Sequence, residues 1–259
     1  MRFGLLGPLT VVTDDGSDLC IPQARQRALL SVMLLHSNRP LGPAWLASLL
    51  WEQPDGLGDG ALRTLIWTLR RRVGLAARLQ WNADGYRLEV RRGELDLDEF
   101  RETAEQGREA LASGDNPTAA SLFGRALGLW REPALANLPA TVGMLQMAES
   151  LLEERLAATE SLIEARLALG QHRDLPATLR AQLLLTPGHE RLWEQLMVAL
   201  YRSGRRADAL AAFTQARALL AVDYGLVPGP GLQALHQQIL TDDPALMPRL
   251  DQGRPAGAG

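Results

Sequence analysis

The chain has 259 residues, 46% of them apolar, with a formal net charge of −3 at pH 7, enough for two domains that each bury a core. It has no run of about 18 apolar residues to span a bilayer and no charged-then-apolar secretory start, so a cytoplasmic protein without a membrane partner is expected. The single Cys20 excludes an internal disulfide, and its place in a strand candidate predicts a small core hydrophobe.

In chain order, Phe3 to Leu6, Leu9 to Thr13 and Leu19 to Ile21 are short strand candidates, broken by Gly7-Pro8 and Asp14-Asp-Gly16. Gln23 to Ser37 reads as a helix with Ala28, Leu29, Val32, Met33 and Leu35 apolar. Asn38-Arg-Pro-Leu-Gly42 is turn chemistry, and Pro43 to Trp51 reads as a second helix with proline in its first turn. Asp59 to Val73 is the third. Asp84-Gly85, between Leu79-Gln-Trp81 and Tyr86-Arg-Leu-Glu-Val90, signals a hairpin. Strands, three helices and a hairpin, in this order, predict a winged helix-turn-helix over residues 1–93.

The third helix is the most informative segment. On a helical wheel Leu62, Leu65, Ile66, Leu69 and Val73 fall within an arc of about 100°, the width of a core-facing stripe. Arg63, Thr64, Trp67 and Arg71 point the other way, Thr68 and Arg70 flank them, and Arg72 falls near the edge of the buried stripe, placed to cap or snorkel. A large aromatic such as Trp67 at the centre of a polar face implies contact with a base edge, a sugar or another protein.

From Leu95 onward only helical periodicity remains: Leu97 to Ser113, Pro117 to Trp130, Gly143 to Leu169, Arg173 to Leu185, His189 to Ser203, Arg205 to Val222 and Pro230 to Leu240. Ala168-Leu-Gly170 with Asp174 and Ala177 is echoed by Arg202-Ser-Gly204 with Asp208 and Ala211, and Gly170 and Gly204 lie 34 residues apart. That is the tetratricopeptide period. The fold class expected is therefore mainly α with a small β component: a winged helix-turn-helix domain, an all-α tetratricopeptide-like domain over 94–247, and a disordered tail over 248–259.

Charge follows the same division. Residues 1–93 hold 12 arginines against 8 acids, and residues 94–259 hold 15 against 22. The positive field belongs to the first half, as suits a chain that grips phosphate with one domain. Every cation is arginine, since the chain has no lysine; a Gly-rich Lys-Ser/Thr phosphate loop is excluded. Arginine therefore carries every positive role, and its abundance is not a sign of selection for bidentate recognition. His36, His172, His189 and His236 lack partners at ligand spacing, and the Asp96-Leu-Asp98-Glu99 cluster suits a helix N-terminus. No catalytic residue, metal or cofactor is expected.

The motifs Leu5-Leu-Gly-Pro-Leu9, Arg25-Gln-Arg-Ala-Leu-Leu30, Leu46-Ala-Ser-Leu-Leu-Trp51, Leu69-Arg-Arg71, Gly85-Tyr-Arg-Leu88, Ala126-Leu-Gly-Leu-Trp130, Ala199-Leu-Tyr-Arg-Ser-Gly204 and Tyr224-Gly-Leu-Val-Pro-Gly-Pro230 occur in one order. Through them the chain, over about residues 1–245, resembles the Streptomyces antibiotic regulatory proteins, which join a winged helix to a bacterial transcriptional activation domain. It looks like a small, two-domain member. The resemblance implies an activator of secondary-metabolite genes that binds direct repeats near the promoter −35 region. Two protomers would lie side by side on double-stranded DNA and recruit RNA polymerase holoenzyme through its sigma and alpha subunits. Asp59 to Val73 would enter the major groove with Arg63, Thr64 and Arg71 nearest the DNA, while Arg25, Arg27 and Arg87 would touch phosphates. Two features depart from the family: Trp67-Thr68 stands where Ser-Arg is common, and Trp81-Asn-Ala-Asp-Gly85 replaces a stretch that is often basic, which implies a weak wing. A second reading is a helical-repeat adaptor whose winged helix contacts protein rather than DNA.

Overall fold

The computed structural model describes residues 1–51, 58–131, 134–135, 137–139 and 141–247; the tail expected to be disordered lies outside them. The fold is mainly helical, with two small two-stranded sheets. It forms two compact units, one of Met1–Gln106 with Leu122–Ala158 and one of Gly107–Ser121 with Thr159–Gly259. Compactness thus divides the chain differently from the boundary at 93/94 expected from periodicity and charge.

In the first unit β1 (Arg2–Gly4) pairs antiparallel with β2 (Thr10–Val12), Phe3 opposite Val11. Both strands are shorter than the apolar runs suggest. The reason for β1 is specific: the Leu5 and Leu6 amides donate to the Asp96 carboxylate, at 2.7 and 3.2 Å, instead of to a ladder. No strand forms over Leu19–Ile21, where only a Val12–Asp18 bridge and a Leu19 N–H bond to the Val11 carbonyl occur. The Ile21 and Pro22 carbonyls are held instead by Nη1 of Arg27, at 2.8 Å each. Cys20, expected in the core, is exposed on this irregular segment.

The helix α1 (Ala24–Leu35) is buried over an unbroken run from Ala28 to Leu34, as a helix covered on several sides must be. Its neighbours are α2 (Pro43–Leu50), α3 (Gly58–Arg72) and a strand of the hairpin formed by β3 (Leu79–Asn82) and β4 (Gly85–Leu88). Gly85 opens β4 rather than sitting at the tip, which is Ala83-Asp84. Tyr86 exchanges backbone bonds with Leu41, and a Cβ at Gly85 would run into the Leu41 carbonyl; its φ of +134° is also one that only glycine adopts readily. The hairpin is therefore anchored to the α1–α2 connection.

The next helices complete this unit. Asp96 begins α4 (Asp96–Ala112), and beyond α5 (Asn116–Gly128) the Arg131 Nη2 reaches the Asp96 carboxylate at 3.0 Å while the Arg131 amide donates to the Leu6 carbonyl. The start of α6 (Val142–Ala168) is held by Thr141, whose hydroxyl donates to the Leu49 carbonyl. Arg101 on α4 makes a two-pronged ion pair with Glu154 on α6, at 2.8 and 2.7 Å.

In the second unit α8 (Glu190–Arg202) packs against α7 (Leu175–Leu185), α9 (Arg206–Tyr224) and α10 (Pro230–Thr241). The repeat read from Gly170 and Gly204 is visible as geometry, and Gly114 supplies a third copy. All three glycines have φ between +73° and +80°. At each, the glycine amide bonds back three residues and the following amide five residues: Asp115 to Ala110, Gln171 to Arg166, Arg205 to Leu200. These are Schellman closures, which satisfy the last carbonyls of a helix and turn the chain into the next. Gly114 escapes the 34-residue period because the loop before α6 and that long helix intervene.

Asp96→Ala is expected to strip an acceptor from two backbone amides and from Arg131, at a cost of about 2–4 kcal/mol. Hydrogen exchange at the Leu5 and Leu6 amides in the whole chain measures this, and unchanged protection there would refute the role.

Candidate nucleic-acid interface

The apolar stripe of α3 forms as its spacing requires: Leu62, Ile66, Leu69 and Val73 are buried, and Leu65 is half-buried. The same rotation leaves Arg63, Thr64, Trp67 and Arg71 exposed, with Thr68 and Arg70 at the margins. Between Gly60 and Arg72 the helix carries four arginines and no acid. Trp67 keeps 58% of its surface exposed at the centre of this face. One turn on, the Arg71 guanidinium stands over its ring, 5.4 Å from the centroid, within cation–π range. The Thr64 and Thr68 hydroxyls donate to the Gly60 and Thr64 carbonyls, at 2.9 and 2.8 Å. They therefore face outward with acceptor lone pairs and methyl groups rather than donors.

Two clefts flank the helix. One, of about 380 Å³, lies between α3, the start of α2 and the hairpin, lined by Pro43, Leu62, Arg63, Arg70, Trp81 and Tyr86. The other, of about 580 Å³, lies between α3 and the start of α1, and includes Gln23, Trp67, Arg71 and Arg72. Arg72, placed by the wheel at the edge of the buried stripe, is exposed in this second cleft. It is the last residue of α3, and its exposure agrees with a long side chain at the stripe's edge that reaches solvent.

The arginines singled out from the sequence occupy different positions. Arg25 is exposed, its guanidinium 5.9 Å from the Trp51 ring centroid. Arg87 is exposed on β4, paired across the hairpin with Gln80. Arg27 points inward: besides the Ile21 and Pro22 carbonyls, its Nε donates to the Asn137 carbonyl at 2.9 Å. The Arg70 Nε donates to the Leu79 carbonyl at 2.9 Å, tying α3 to β3. On the hairpin, Trp81 is 55% exposed and meets Tyr86 edge-on at 4.7 Å. Asp84 is exposed at the tip, its amide bonded to Asn82 Oδ1.

Among the described residues no cluster of three or more His, Cys, Asp or Glu side chains could hold a metal ion, and no helix is long and apolar enough to cross a membrane.

Comparison with known proteins shows the family. Residues 95–240 match the model of the bacterial transcriptional activator domain. The chain is 38% identical over 248 residues to the regulatory protein AfsR of Streptomyces coelicolor, an alignment that spans 95% of this chain but only a quarter of AfsR. It is 33% identical over 257 residues to the regulatory protein DnrI of Streptomyces peucetius, covering 95% of this chain and 94% of DnrI. A solved structure of Mycobacterium tuberculosis EmbR in complex with a low-affinity phosphopeptide superposes with a TM-score of 0.88 at 34% identity, over 94% of this chain and 65% of that one. EmbR is a transcriptional regulatory protein. The chain belongs to the Streptomyces antibiotic regulatory protein family of transcriptional regulators.

Proposed function

We propose that this regulator is a sequence-specific DNA-binding activator whose residues 1–93 act as a winged helix-turn-helix with α3 in the major groove. One observation carries the reading: the outward face of α3 offers arginines, hydroxyl acceptors and an uncovered indole, with no acid between Gly60 and Arg72. Such a face repels protein cations and attracts phosphate and base edges. Arg63, Thr64, Trp67, Thr68 and Arg71 contact bases, and Arg70 flanks them, lining the hairpin cleft with Arg63. Arg25 and Arg87 grip phosphates on either side and set register. Arg27 belongs to the scaffold rather than the DNA surface, since its Nε and Nη1 hold three carbonyls. Two protomers side by side on direct repeats near the −35 region would present the tetratricopeptide-like domain to the sigma and alpha subunits of RNA polymerase. The regulated genes, by the family, make a secondary metabolite, and the protein acts in the cytoplasm.

Gel shift and footprinting on DNA upstream of the gene and of its biosynthetic neighbours test this. Protected repeats about one helical turn apart are expected, with affinity falling with salt at a log–log slope near −0.9 per phosphate neutralised. Arg63→Ala or Arg71→Ala should cost about 1–3 kcal/mol on a matched site, and Arg25→Ala should lower the salt slope by about one phosphate. No salt-sensitive protection at low salt would overturn the reading.

Arg27→Ala separates the scaffold from the surface. It should lower stability by roughly 1–3 kcal/mol through three carbonyls left without a donor, yet leave the salt slope of the folded protein unchanged. A slope reduced by about one would place Arg27 on the DNA after all.

A further inference from the structure

On α3 the exposed side chains of Trp67 and Arg71 are already organised against each other, the guanidinium 5.4 Å from the ring centroid. Stacking on an aromatic face limits where the planar fork can swing, so less freedom is lost when it binds. The ring itself is the largest apolar surface on that face, 58% exposed, while the neighbouring Thr64 and Thr68 hydroxyl protons are engaged by backbone carbonyls. The major groove holds a single apolar feature, the thymine methyl, and a single edge with two acceptors side by side, guanine O6 and N7. Residues four apart on a helix are separated by about 6 Å along its axis, and base pairs by about 3.4 Å, so both features must come from base pairs one or two steps apart.

From this we propose that Trp67 and Arg71 form one reading unit for a thymine and a guanine in each half-site, the indole packing on the thymine methyl while holding the Arg71 fork toward guanine O6 and N7. The assignment rests on the DNA-binding reading and names the base step that it reads. Trp67 acts both as a contact and as a positioning residue for Arg71.

The test uses the whole chain. Duplexes are selected from a random pool by the wild-type protein, and the selected site is rebuilt with single changes. Uracil for thymine removes only the methyl, and 7-deazaguanine for guanine removes only N7. Wild-type binding should weaken about fourfold at one thymine per half-site, the worth of one buried methyl-sized group, and about fivefold or more at a guanine one or two steps away. Trp67→Ser should bind the thymine and uracil sites equally and lose most of the 7-deazaguanine penalty, whereas Trp67→Phe should retain much of both. Arg71→Ala should lose the guanine penalty and keep the methyl penalty. The proposal is overturned if the wild type ignores the methyl at every thymine, if Trp67→Ser still senses it, or if Trp67→Ser keeps the full guanine penalty. Failure to enrich any duplex would sink the DNA-binding reading itself, a different result from enrichment without methyl sensitivity.

Discussion

The first unit depends on one carboxylate. Asp96 accepts from the Leu5 and Leu6 amides and from Arg131, so it joins the N-terminal sheet, the start of α4 and the segment after α5, which lie far apart in sequence. Burial outweighs these donors and lifts its carboxyl above the usual carboxylate range; a half-buried charge of this kind persists because its partners would otherwise be left unpaired. Gly4 is part of the same device, since a side chain there would run into Arg131. The Leu135 amide then bonds the Gly7 carbonyl, extending the clamp along the chain. As a result, the helices that begin the activator domain also brace the unit that carries α3.

Within that unit the position of α3 is fixed from two sides. Its buried stripe packs on α1, and Arg70 fastens it to the first strand of the hairpin, whose second strand is locked to Leu41. A helix tied in this way presents its outward residues on a rigid support, as the proposed contact with a groove requires.

Much of this is legible in the sequence because it is periodic. The α3 stripe, the helices and the Gly170 and Gly204 corners recur at spacings that local geometry dictates. What the sequence hides are contacts between a side chain and a distant backbone carbonyl or amide. Arg27 reaches Asn137, and Asp96 reaches Leu5, through bonds that leave no repeating trace. The Arg27 bond to the Ile21 carbonyl accompanies the absence of a strand at Leu19–Ile21 and the exposure of Cys20.

Because every side-chain cation of this chain is a guanidinium, the arginine count alone says little about the field offered to a partner. A planar fork fits backbone carbonyls as well as phosphates, and the fold uses it so repeatedly. Arg27 closes the loop before α1, Arg202 holds the Leu167 and Leu246 carbonyls, and Arg206 holds those of Ile239 and Leu240 at the end of α10. The last two supply donors to carbonyls near helix C-termini, where a positive charge also meets the negative end of the dipole. Arg71, near the end of α3, differs: among the described residues no carbonyl takes up its guanidinium, which stands over the Trp67 ring instead. An aromatic face can orient a guanidinium without consuming its hydrogen-bond donors. On a helix that also carries Arg63, Trp67 therefore sets how Arg71 is presented without adding to or subtracting from the charge that Arg71 brings.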